Sequence, residues 1–191
     1  MVSERQQQII GASVGLIDKK GIQGFTIKNL SREIGISESG IYRHFDSKIM
    51  ILSTILDTFK QKMDGYYKSL ENDKDNPAEV QIIEFFNMIF GIFSANPSLV
   101  SVIFAEEIFQ NEPTLSAKVL EIQMTNEVLI KKMLKGLSLN SKQSNYNSDI
   151  FTTILFGSVR LLVRKWKLSS YSFNLMQKGE KLIDTVLNLL R

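Results

Sequence analysis

Residues 24–48 read GFTIKNLSREIGISESGIYRHFDSK, and the punctuation of this stretch decides the fold. Thr26 is an N-capping residue, and Phe25 before it and Leu30 within the helix it opens are placed as a hydrophobic staple. Gly35 supplies a left-handed stop after Ile34, so this helix has only about two turns. Ser37 caps a second short helix, with Ile36 and Ile41 as its staple, and Asp46 caps a third, with Phe45 and Met50 in the same relation. Two short helices joined by a tight glycine turn make a helix-turn-helix, in which the second helix can lie in a major groove while the first crosses the backbone.

Working outward, Ser3 and Gln6 form a capping box, and the helix they open presents Ile9, Ala12, Leu16 and Ile17 to a core before Gly21 ends it. Downstream, Leu52, Leu56, Phe59, Met63, Tyr66 and Leu70 lie on one stripe, which predicts a linking helix over 46–70. Glu71 to Asn76 is a polar loop, and Pro77 opens a helix carrying Val80, Ile83, Phe86, Phe90 and Phe93, which stops at Asn96 and Pro97. A short helix over 98–110 follows, then a helix opened by Thr114 that ends near Gly136. Beyond a polar stretch over 138–148, two long helices over 149–168 and 172–190 close the chain. With no alternating strand pattern and no fixed-period repeat, the fold class is all-α with about nine helices. The expected division is a helix-turn-helix domain over 1–48 and a second helical domain over 49–191.

Composition agrees with a folded, water-facing protein: 43% of the 191 residues are hydrophobic and 23% are charged, close to the globular average. Cys is absent, which excludes disulfides and thiolate metal sites. No run approaches the roughly 20 apolar residues of a membrane span, and residues 1–8 are polar where a signal peptide turns apolar. A cytoplasmic protein with no membrane partner is the expectation. The net charge of +3 permits nucleic-acid binding without demanding it, so the distribution of charge must decide.

That distribution points to 37–48. Ser37, Glu38, Ser39 and Gly40 form the first turn of the reading helix, where short side chains and backbone N–H groups approach bases and phosphates closely. Arg43 carries a fork suited to guanine, whereas Tyr42, His44 and Lys48 have the reach of phosphate clamps. Residues 24–48 resemble the DNA-binding signature of the TetR family almost position by position. The resemblance implies a homodimer whose last two helices pair into a four-helix bundle, with a ligand cavity enclosed by the middle helices of a ligand-binding and dimerisation domain. It also implies that Thr26 and Lys28 contact phosphate, that residues 37–40 and Arg43 face the groove, and that Tyr42, His44 and Lys48 grip the backbone. Gly40 departs from the Thr, Ala or Ser frequent there, which weakens the helix by about 1 kcal/mol relative to Ala and removes a base contact.

Other residues are weighed against plainer roles. His44 is the only histidine, so neither a zinc site nor a histidine-based catalytic pair forms on it unaided. The chain offers no glycine-rich phosphate loop, metal cluster or nucleophile and base pair, so neither an enzyme nor a cofactor is expected. Ser31 and Arg32 are expected on a solvent face, and Glu106 and Glu107 in a solvated face or a salt bridge. Phe90, Phe104 and Met124 are selected among the apolar residues of the middle helices as lining for a small lipophilic effector. Arg160, Arg164, Lys165 and Lys167 are read as supporting a helix C-terminus and the rim of a dimer contact rather than as a second nucleic-acid surface. Leu155, Val159, Leu162, Trp166, Leu182, Ile183, Val186, Leu187 and Leu190 give the last two helices surplus apolar surface, expected to be covered by a second copy. The functional expectation is a repressor that binds palindromic operator DNA as a homodimer and is released by a small apolar ligand. The alternative is a DNA-bound interaction protein like the nucleoid-occlusion members of the family.

Overall fold

The computed structural model describes residues 2–72, 76–105, 109, 112–137 and 146–189, the side chains of 70–72 excepted. Among these residues there are nine helices and no strand: α1 (Glu4–Lys20), α2 (Ile27–Ile34), α3 (Glu38–Tyr42), α4 (Lys48–Asn72), α5 (Ala78–Ala95), α6 (Leu99–Ile103), α7 (Pro113–Lys135), α8 (Ser148–Leu168) and α9 (Leu175–Asn188). Two compact units share them, one of residues 1–64 and 98–122 and the other of residues 65–97 and 123–191. This division differs from a single cut after residue 48: it falls inside α4, and the segment from Ser98 to Ile122 belongs with the N-terminal helices.

In the first unit, α1 packs on α2 and on α6, and α2 on α3. Ile9, Leu16, Phe25, Leu30 and Ile41 are fully buried at its centre. Each such side chain contributes about 1.5–3 kcal/mol by leaving water. Ile51, Leu52, Ile55, Leu56, Phe59 and Met63 bury one stripe of α4 at three- and four-residue spacing. The opposite edge of α4 is polar and meets α7 through ion pairs. Lys60 bridges Asp64 at 3.0 Å and Glu121 at 3.4 Å, and Asp57 pairs with Lys118.

In the second unit α5 is the central helix, burying Ile82, Phe85, Phe86, Ile89, Phe90 and Phe93. It is long and apolar enough to pass as a membrane span by length and composition, where no apolar run approaching that length was expected. Its aromatic rings nevertheless have partners here: Phe86 meets Phe85 edge-on at 5.0 Å and Phe156 of α8 at 5.5 Å, and Tyr67 stacks on Phe85 at 6.1 Å. The α5–α9 contact closes over Gly179, where a Cβ would lie 2.3 Å from the Phe90 ring. The turn from α8 to α9 places Ser170 and Tyr171 in the left-handed region, at φ 52° and 62°. It is held by the Tyr171 N–H donating to the Trp166 carbonyl at 2.9 Å and the Trp166 indole donating to the Phe173 carbonyl at 2.9 Å.

Several helix starts lie beside the expected residue. α4 begins at Lys48, capped by Ser47, whose hydroxyl accepts from the Met50 N–H at 3.2 Å, so Asp46 is not its cap. Met50 is accordingly 47% exposed, and Ile51 is the residue buried near Phe45 in sequence. Pro77 precedes α5 and Pro113 opens α7, one residue before Thr114. Asn147 caps α8 and Asn174 caps α9 through their side-chain oxygens. α6 ends at Ile103, and most of the stretch expected to continue it to residue 110, with Glu106 and Glu107, lies outside the described residues.

Candidate nucleic-acid interface

The α2–α3 pair is built from local hydrogen bonds that its residue types dictate. Thr26 Oγ1 accepts from the Asn29 N–H at 3.1 Å, and the Asn29 side chain donates to the Gly24 carbonyl at 2.9 Å. Gly35, at φ 75° and ψ 32°, donates its N–H to the Ser31 carbonyl at 2.9 Å, and the Ile36 N–H shares that acceptor at 3.1 Å. The chain is thereby turned into α3 within two residues. Ser31 is not on a solvent face: it is 7% exposed and its hydroxyl donates to the Lys28 carbonyl. A hydroxyl that finds a carbonyl inside its own helix can be buried at little cost, which apolar periodicity does not register.

α3 is anchored by one side chain, the fully buried Ile41, and everything around that anchor faces outward. Ser37 Oγ accepts from the Gly40 N–H at 3.0 Å and lies 2.9 Å from Ser39 Oγ, so the two hydroxyls brace the first turn. At Gly40 a Cβ would stand 3.3 Å from Ser37 Oγ, so the glycine leaves the capping hydroxyl its room. Glu38, Ser39, Tyr42 and Arg43 are exposed, Tyr42 at 50%. Thr26 and Lys28 are exposed at the start of α2. His44 is half-buried, and its carbonyl accepts a hydrogen bond from the Gln6 side chain of α1 at 3.1 Å.

Lys48, in the first turn of α4, holds its ammonium 5.3 Å from the centre of the Phe25 ring. Burial lowers its pKa from the ordinary lysine value, and the charge of Glu112 works against that shift. The residues singled out by sequence between Thr26 and Lys48 thus all lie in the first unit, on or flanking two helices locked together by Gly35.

The residues selected as effector lining are less uniform. Phe90 is fully buried in the second unit against Gly179, and Phe104 is half-buried at the end of α6 in the first. Met124 is 57% exposed and lines no interior. Most of the residues expected to be covered by a second copy are already covered within the single chain. Leu155, Val159, Trp166, Ile183, Val186 and Leu187 are buried inside the subunit, Leu162 and Leu182 are half-buried, and Leu190 lies outside the described residues. The apolar side chains that α8 leaves in water are Ile150, Ile154, Leu161 and Leu168. Helix α8 carries two apolar stripes, and the subunit's own core takes the first.

Some of what the site depends on escaped the sequence reading. Gln6 serves the expected capping box, but its amide nitrogen also reaches across to His44. Asp18 accepts from Ser98 at 3.0 Å and from Ser101 at 2.5 Å. The signal for Asp18 was present: an acid in the last turn of a helix opposes the helix dipole, so it needs a reason from outside the helix.

A capped, glycine-turned helix pair with an outward-facing second helix defines a helix-turn-helix protein of the all-α class. Residues 9–54 match the profile of the bacterial regulatory proteins of the tetR family, and residues 81–191 match the C-terminal region of the MAATS-type transcriptional repressors. The chain belongs to the tetR family of bacterial transcriptional regulators. It is 25% identical over 187 residues to the nucleoid occlusion factor SlmA of Actinobacillus pleuropneumoniae, covering 94% of this chain and 89% of that one. Its fold is similar to that of the fatty acid degradation regulator FadR from Bacillus halodurans, with a TM-score of 0.79 and 18% identity over 99% of this chain and 97% of that one. It is also similar to FadR from Bacillus subtilis solved in complex with stearoyl-CoA, with a TM-score of 0.74 and 18% identity over 96% of each chain.

Proposed function

We propose that this regulator is a repressor that binds a palindromic operator as a homodimer and leaves it when a small lipophilic effector enters the second unit. The observation that carries the reading is the outward edge of α3, where Ser39, Tyr42 and Arg43 are exposed around the single buried anchor Ile41. Arg43 and the turn from Ser37 to Gly40 face the major groove, with Glu38 accepting from base amino groups. Thr26, Lys28, Tyr42, His44 and Lys48 hold the phosphates. The role is binding, not catalysis, and its compartment is the cytoplasm, where bacterial DNA lies.

The second copy docks on the face of α8 formed by Ile150, Ile154, Leu161 and Leu168, side chains 44% to 75% exposed in the single chain. Their spacing puts them on one side of the helix, and a second copy removes that side from water. The effector offers the second unit a lipophilic group because the helices there present chiefly aromatic and aliphatic side chains. Stearoyl-CoA, whose acyl chain is such a group and with which the Bacillus subtilis FadR was solved, is the first compound to test. α4 is continuous from Lys48 to Asn72, so a change at its far end is carried to the first turn beside the DNA contacts. Only a difference in effector affinity between two states can drive such a change.

The test is selection of duplexes from a random pool, followed by titration of the enriched duplex with and without stearoyl-CoA. One palindrome should be enriched, and the effector should lower affinity by about 5- to 150-fold. Failure to enrich any duplex rejects the DNA reading. Unchanged affinity at saturating lipid rejects stearoyl-CoA as the effector. The likeness to the nucleoid occlusion factor over 94% of this chain favours a second reading, a DNA-bound protein that recruits another protein and needs no effector. Occupancy of many dispersed chromosomal sites would favour it, and occupancy of one or a few palindromes would favour the repressor.

A further inference from the structure

Helix α1 is tied near both of its ends by side-chain hydrogen bonds that reach beyond α1. At its start, Gln6 divides its amide between two tasks. Its oxygen accepts from the Ser3 N–H at 2.9 Å to complete the capping box, while its nitrogen donates to the His44 carbonyl at 3.1 Å, at the junction of α3 and α4. At its end, Asp18 accepts from Ser98 and Ser101, which stand one turn apart where α6 begins. Ser98 occupies the position before α6 yet makes no capping bond to that helix, its hydroxyl being turned to Asp18 instead. Asp18 stands twelve helical steps beyond Gln6 on uninterrupted helix, about 18 Å, with Ile9, Leu16 and Ile17 buried along it.

We infer that α1 is a strut that transmits the position of α6 to the reading helix, with Asp18 and Gln6 as positioning residues at its two ends. The physical basis is stiffness. A packed helix moves as a body, so a displacement of Ser98 and Ser101 that drags Asp18 must also shift Gln6 and the carbonyl it holds. The inference rests on the DNA-binding reading for its consequence, and adds to it a second route of transmission beside α4.

Two substitutions separate the ends while preserving the helix. Gln6→Glu keeps an oxygen for the capping box and exchanges the donor to His44 for a charged carboxylate oxygen that cannot donate. Asp18→Ala removes both acceptors for the serines, and as the loss of an acid from a last turn it favours α1 locally. Each variant should weaken binding to the duplex enriched by the wild-type protein by between about twofold and thirtyfold. Because the two sites share no partner, independent effects would multiply to within about twofold. The strut predicts that the double variant is hardly worse than the poorer single one, since either cut disconnects the same rod. Effects that multiply would overturn it.

Amide exchange on the DNA-free protein supplies an independent readout. Asp18→Ala should speed exchange at His44 and Phe45, whose N–H groups bond the Ile41 carbonyl. Acceleration confined to the last turn of α1 and to α6 would show a local role only and overturn the inference. If the wild-type protein enriches no duplex, the DNA reading falls, while exchange at His44 and Phe45 still decides whether α1 transmits.

Discussion

At Gly35 a Cβ would meet nothing within 4 Å, so the whole cost of a side chain there is the left-handed backbone at φ 75°. Gly35→Ala should therefore lower stability by about 1 kcal/mol, a fall in melting temperature of about 2–4 °C, with Gly35→Asn costing less. An unchanged melting temperature would show that the turn relaxes. Lys48 is held over the Phe25 ring at the start of α4. Lys48→Ala should reduce the slope of log affinity against log salt by about one unit, because one phosphate contact is lost. A full slope would remove Lys48 from the phosphate contacts. Caps and stops of this kind were legible in the sequence because their hydrogen bonds span three or four residues: Ser3, Thr26, Ser37 and Gly35 all stand where their residue types placed them. Asp46 and Ser47 were not separable, since both residue types cap well and only the last turn before Lys48 chooses between them.

Helices have faces, and pairing those faces is where sequence reading reached its limit. The apolar residues of α8 lie both at Leu155, Val159 and Trp166 and at Ile150, Ile154, Leu161 and Leu168. Periodicity alone cannot tell which set meets α5 and α9. Met124 misled for the same reason, its residue type suiting an interior and its position on α7 leaving it exposed. The contact of α5 with α9 depends on a residue with no periodic signal at all, Gly179, over which the fully buried Phe90 ring lies. Gly179→Ala should cost about 1–3 kcal/mol, because the ring has no room to retreat in a packed interior. Chemical denaturation would measure it, and a loss below about 0.5 kcal/mol would mean that α9 shifts freely along α5.

At the scale of the whole molecule, a single chain presents one reading helix, and a palindrome requires two. The exposed stripe of α8 is the surface proposed to supply the second. Leu161→Glu places a charge in the middle of that stripe without touching the buried face beside it. The variant should remain folded, sediment as a monomer and lose most of its operator affinity. A dimeric Leu161→Glu protein would move the interface elsewhere. The contact of α1 with α6 inside the first unit was beyond the sequence, since Asp18 is separated from Ser98 and Ser101 by eighty residues or more and none is apolar. The most direct measurement is sedimentation of the protein with the duplex it enriches. Two chains per duplex, lost with Arg43→Ala and weakening steeply with salt, are the predicted result. One chain per duplex, or none at low salt, would contradict the account.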